Sequence, residues 1–110
     1  MDIVAQLTER ITIKVLSTTK QPNGEVTEQW SDLATVWADA IPLSGKENYS
    51  SDQNAPSQSY RFLIRHRTDI DTTNKIVWAG KEFDIHSINP YFKAGRNKIT
   101  EIKGEWHDGG

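Results

Sequence analysis

Residues 60–85 read Tyr60-Arg61-Phe62-Leu63-Ile64-Arg65-His66-Arg67-Thr68-Asp69-Ile70-Asp71-Thr72-Thr73-Asn74-Lys75-Ile76-Val77-Trp78-Ala79-Gly80-Lys81-Glu82-Phe83-Asp84-Ile85. Successive side chains of an extended strand point to opposite faces. Tyr60, Phe62, Ile64 and His66 therefore share one face, and Arg61, Leu63, Arg65 and Arg67 share the other. Asp69 to Asn74 is polar enough for a turn. Ile76-Val77-Trp78-Ala79 reads as a short strand and Gly80-Lys81 as a tight turn. Phe83 and Ile85 then alternate with Glu82 and Asp84, the pattern of a half-buried strand. Ile88 breaks that alternation, which predicts a bulge or a change of face. Three consecutive antiparallel strands over residues 60–88 are the expectation.

The same reading extends outward in both directions. Ile11, Ile13 and Val15 alternate with Thr12 and Lys14, and Pro22-Asn23-Gly24 supplies a turn because Asn and Gly tolerate positive φ. Val26 to Trp30 resumes an extended pattern. Leu33 to Ile41 is a further strand ended by Pro42, since it lacks the apolar stripe of a helix. Toward the C-terminus, Asn89-Pro90 and Gly95-Arg96-Asn97 bracket a loop, and Lys98 to Trp106 is the last strand. About six short strands joined mostly by turns predict an all-β fold: a small antiparallel β-barrel. With 110 residues the chain is expected to form one domain, 1–110, with loose termini.

One segment does not fit any strand pattern. Residues 44–58 have no periodicity and almost no apolar content, too little to offset the entropy of ordering. A long structureless loop in a compact domain is usually functional or disordered. A mobile polar loop at about 44–58 is expected, with Tyr49 its only aromatic.

Composition excludes several classes. There is no cysteine, so no disulfide, thiolate nucleophile or zinc–thiolate site can form. No run approaches the ~20 apolar residues of a membrane-spanning helix, and no membrane partner is expected. The net charge of −2 argues against a domain built mainly to grip nucleic acid. The charge is uneven, however. Residues 1–58 hold four basic and eight acidic groups, and residues 59–110 hold nine and seven, so one half could attract the other half of a neighbour.

No catalytic constellation appears. His66, His86 and His107 lie about twenty residues apart without metal-ligand spacing, so ordinary strand histidines are the reading and no cofactor is expected. Asp69-Ile70-Asp71-Thr72-Thr73-Asn74 resembles a calcium loop in part but lacks its glycine and closing glutamate. Arg61, Arg65 and Arg67 form a basic stripe suited to internal salt bridges, to a neighbouring subunit's carboxylates, or to DNA phosphates. Of the four tryptophans, Trp30, Trp37, Trp78 and Trp106, not all fit inside so small a barrel. Trp106, beside the C-terminal Asp108-Gly109-Gly110, is the candidate partner contact.

The order of several pieces resembles the tailed-phage head–tail joining (head-closure) proteins. The pieces are Arg10-Ile11-Thr12-Ile13, Asn23-Gly24, Trp30, Val36-Trp37-Ala38 and Ile41-Pro42-Leu43-Ser44-Gly45-Lys46-Glu47. They continue with Phe62 to Ile70 and Ile76 to Ile85, and the resemblance covers roughly Leu7 to Lys103. It implies a non-enzymatic virion subunit, present in the host cytoplasm before assembly and encoded by a phage or prophage. Such a subunit forms a ring, twelvefold by the resemblance, beneath the portal, closes the DNA-filled head and offers the tail its attachment surface. Portal or adaptor and tail proteins are the implied partners, with packaged DNA a further one. Ser44, Gly45, Lys46, Glu47 and Tyr49 become candidate assembly or channel-loop residues, and Arg61, Arg65, Arg67 and Trp106 candidate contacts to a subunit or DNA. The alternative is an OB-like barrel that binds single-stranded nucleic acid.

Overall fold

The computed structural model describes residues 7–43, 57–93 and 97–107. Six strands are present: β1 Glu9–Lys20, β2 Val26–Pro42, β3 Ser57–Arg65, β4 Lys75–Trp78, β5 Lys81–Lys93 and β6 Asn97–His107. There is no helix among the described residues. The strands close into an antiparallel barrel in the order β1-β2-β3-β6-β5-β4, with β4 returning to β1.

The alternation read from the sequence sets the inside. Ile11, Ile13, Ala38, Phe62, Ile64, Ile76, Phe83, Ile85 and Ile102 form the buried core. At one side Tyr60, Phe62, Trp78 and Phe83 make an aromatic cluster. Phe62 and Phe83 meet edge to face at 5.2 Å, and Tyr60 meets Trp78 at 5.0 Å. Gly104 permits this packing. A Cβ there would lie 3.2 Å from the Asp84 carbonyl oxygen and 3.3 Å from Phe83 Cβ. The bulge expected from Ile88 is present: the β5–β6 register shifts between Ile85 and Ser87, leaving His86 as the extra residue and setting Ile88 opposite Ile102.

Three expectations need correction. Residues 60–88 do hold three strands, but β3 pairs with β2 and β6, not with β4. A period-2 pattern fixes which face is buried and leaves the neighbour open. The connection from β3 to β4 is pinned at both ends. Arg67 N–H donates to Thr100 Oγ1 on β6 (3.1 Å), and Asn74 Nδ2 donates to the Lys14 carbonyl on β1 (2.9 Å). Second, Asn89-Pro90 does not open a loop; β5 runs on to Lys93. Beyond Asp84 β4 no longer pairs with β5, so Pro90 lies where one side of β5 has no partner strand among the described residues and a missing N–H is tolerated. Third, Ser57 and Gln58 belong to β3, opposite His107 and Trp106, so the polar segment is shorter at that end than expected.

The β4–β5 turn falls one residue earlier than expected, at Ala79 (φ 54°) and Gly80 (φ 76°). Two successive positive φ values match the twist of a tight hairpin. Alanine in this conformation is strained by roughly 1–2 kcal/mol, of which glycine's greater unfolded-state freedom offsets about 0.5–1. Ala79→Gly is therefore expected to stabilise the protein by about 0.5–1 kcal/mol, read as a higher urea midpoint at unchanged slope. A lower midpoint would show that the strain is absent.

Candidate interaction surface

Two features project from the barrel wall. The first is an arm. β1 pairs with β4 only over Thr12–Lys14, and β2 pairs with β3 only over Ala38–Pro42. From Val15 to Ser31 the two strands therefore have only each other as strand partners among the described residues. The Gln21 carbonyl accepts from Gly24 N–H at 2.9 Å, and Asn23 Oδ1 accepts from Glu25 N–H at 3.0 Å, closing the turn expected at Asn23-Gly24. The arm leaves the barrel at a bulge: Ile13 faces Ala34 and Lys14 faces Asp32, so Leu33 is the extra residue. Lys14 and Asp32 form an ion pair at this base.

Register places Leu16, Thr18, Lys20, Val26, Glu28 and Trp30 on one face of the arm. Val26 is 62% exposed and Trp30 38%. Lys75 Nζ stands 4.9 Å from the centre of the Trp30 ring, and Glu82 holds it there through a 3.0 Å hydrogen bond. That bond, with Asp84 close by, raises the lysine's pKa. The opposite face is polar. Ser17 Oγ donates to the Gln29 carbonyl and Thr27 Oγ1 donates to the Thr19 carbonyl.

The second feature is a basic cleft on the outer barrel face. Arg10 lies opposite Trp37, with its guanidinium 4.6 Å from the ring centre. Arg65, just past the Ala38–Ile64 pair, borders the same ring. A cleft of about 310 Å³ is lined by Arg10, Thr35, Val36, Trp37, Arg65, His66 and Arg67, and a second hollow beyond Trp37 by Leu7, Thr8, Trp37 and Arg65. Trp37, 52% exposed, stands between them. Among the described residues no carboxylate lines either hollow.

The expected arginine stripe divides. Arg61 Nη1 reaches Glu101 at 3.4 Å on the barrel wall. Arg67 clamps Asp69 with two bonds of 2.9 and 2.6 Å, which hold the Asp69 carboxyl below the usual carboxylate range. Arg65 and Arg67 both line the cleft with Arg10 and Trp37, and of the two only Arg67 has a carboxylate partner among the described residues. Trp106 packs partly buried against the core, with Lys81 Nζ 5.0 Å from its ring centre, beside Gln58, Tyr60 and Trp78. Ser44, Gly45, Lys46, Glu47 and Tyr49 lie outside the described residues. Among the described residues, no three His, Cys, Asp or Glu side chains converge as metal ligands would. His66 Nδ1 sits 3.0 Å from Thr100 Oγ1, and His86 lies 3.6 Å from Glu105.

Sequence reasoning missed Arg10, and it named Trp106 as the candidate partner contact; Trp30 and Trp37 are the more exposed tryptophans. A signal for Trp37 existed. It alternates with Val36, Ala38 and Ala40 and shares its face with Thr35 and Asp39, so the polar face was its natural side.

A family model described as phage head completion protein matches residues 3–104. A solved structure of protein SF1141 from Shigella flexneri 2a is 34% identical, covers 96% of each chain and superposes with a TM-score of 0.73. A chain in the virion of a native gene transfer agent particle has the same fold, at 13% identity and a TM-score of 0.68, over 92% of this chain and 94% of that one. No curated protein matches the sequence.

Proposed function

The chain belongs to the phage head completion protein family, a structural family of the virion rather than an enzyme class, and on that premise we propose how it serves the head–tail junction. It is a subunit of a ring beneath the portal that closes the DNA-filled head and presents the tail with its attachment surface. The observation that carries this reading is the family match over nearly the whole chain, residues 3–104. The shape supports it: an arm and a basic cleft stand out from the wall of a small closed barrel. The segment containing Ser44, Gly45, Lys46, Glu47 and Tyr49 is assigned to assembly or to the channel, and Trp106 to a partner contact.

Deleting the gene from its phage tests the reading. Tailless heads that lose their DNA, alongside unattached tails, are expected, and supplying the protein in trans should restore infectious particles. Normal yields of tailed particles without the protein would overturn the proposal. One observation favours a second reading: Trp37 between Arg10 and Arg65 has the composition of a base-stacking platform. Salt-sensitive retention of the purified protein on single-stranded DNA, lost in Trp37→Ala, would support it.

A further inference from the structure

We infer that the arm of one copy docks in the Arg10–Trp37–Arg65 cleft of the next copy, as the contact that propagates the ring. This rests on the ring reading and deepens it. A ring built from one kind of subunit by head-to-tail contact needs two different, mutually complementary surfaces on each copy. The chain carries such a pair. The arm's exposed stripe holds Val26, Glu28 and Trp30, with Lys20 opposite Val26 and Glu25 at the turn, so its two carboxylates outnumber its one lysine. Neither Glu25 nor Glu28 has a cationic partner among the described residues. The cleft is aromatic and basic: Trp37 is flanked by Arg10 and Arg65, neither of which has a carboxylate partner among the described residues. Arginine's planar fork suits both a carboxylate and an aromatic face.

Geometry forbids the contact within one copy. The arm is the straight continuation of the strands that carry the cleft. Trp30 and Trp37 lie seven residues apart on β2, roughly 23 Å at about 3.3 Å per residue. A symmetric arm-to-arm contact is disfavoured as well, since it would gather Glu25 and Glu28 of both copies against only the two Lys20 side chains, whereas the cleft offers Arg10 and Arg65. The remaining pairing is arm to cleft between copies, and it leaves one free arm and one free cleft for the next addition until the ring closes.

The chain has no cysteine, so introduced thiols report the contact directly. Glu28→Cys and Arg65→Cys chains are supplied together to a phage that lacks the gene, and particles are treated with a short thiol–thiol cross-linker. Both positions are on the outer surface, and circular dichroism of each purified variant checks that the barrel is intact. The expected result is a covalent dimer as the main product in mixed particles and its loss when either variant is supplied alone. Charge reversal gives a second readout. Glu28→Arg or Arg65→Glu alone should abolish ring formation, and the two combined in one chain should restore it. Rings whose cross-links join Glu28→Cys to itself, to a portal or tail protein, or to nothing would overturn the inference and leave the ring standing. Particles in which the protein is present without forming a ring would overturn the ring reading, and this inference with it.

Discussion

Phe62→Ala is expected to lower the stability of the barrel by about 3–5 kcal/mol, the range for truncating a fully buried phenylalanine. Phe62 has no solvent exposure and sits where three other rings meet: Phe83 at 5.2 Å, Trp78 at 5.8 Å and Tyr60 at 6.0 Å. Its loss removes apolar burial and also edge-to-face pairs worth about 0.5–1.5 kcal/mol each beyond their area. The cluster cannot collapse freely into the vacated space. Gly104 and the Asp84 carbonyl already hold β5 and β6 close together there, so a cavity remains. Domains of this size have roughly 5–15 kcal/mol in total. The variant should melt about 15 °C lower or more, at roughly 4–8 °C per kcal/mol, and calorimetry checks it. Trp37→Ala is the control. Despite its larger ring, its exposed position on the outer face should confine the loss to about 0.5 kcal/mol. A comparable loss from both variants would mean that the inside and outside of the barrel are wrongly assigned.

The contrast between these two aromatic residues shows what a single sequence yields. Strand faces were legible because alternation is local. Phe62 and Ile64 inside, Phe83 and Ile85 inside, and the bulge before Ile88 all follow from neighbours within a few residues. The turn at Asn23-Gly24 was legible from backbone chemistry alone. Strand partners were not. That β3 lies between β2 and β6 depends on contacts such as Arg67 N–H to Thr100 Oγ1, thirty-three residues apart, which no local pattern encodes. The length of β2 was obscured for a related reason. Ser31-Asp32 looks like an interruption between two short strands, whereas the strand continues through an extra residue at Leu33. The cleft inherits this limit. Arg10 reaches Trp37 only through the β1–β2 register, so a stripe of arginines along one strand drew attention to Arg61 and Arg67, which are held by Glu101 and Asp69.

Removing the arm is expected to abolish assembly while leaving the barrel almost as stable as before. In the variant, residues 16–30 are replaced by an Asn-Gly turn joining Val15 to Ser31, which face each other across β1 and β2. Residues 22–33 are exposed throughout, as are 17–20, so the excised segment contributes little to the core. Its cross-strand pairs supply about 0.2–1 kcal/mol each, and the entropy of fixing its backbone opposes them. An isolated two-stranded ribbon is at best marginally stable in water for this reason. Its persistence in the fold is favoured by the Lys14–Asp32 pair and the Leu33 bulge at its base, both of which the variant keeps. The melting temperature should therefore move by only a few degrees, corresponding to less than about 1 kcal/mol. Assembly should respond in the opposite way. Without Val26, Glu28 and Trp30 the variant has a cleft but nothing to offer its neighbour, so it can accept one native subunit's arm and pass nothing on. Expressed alone it should give heads without tails; co-expressed with the native protein it should act as a chain terminator and lower the yield of complete particles in proportion to its share. Infectious particles at normal yield from the armless protein would mean that the arm is dispensable. A large fall in melting temperature would mean that the arm is structural, and the division of labour between barrel and arm would be wrong.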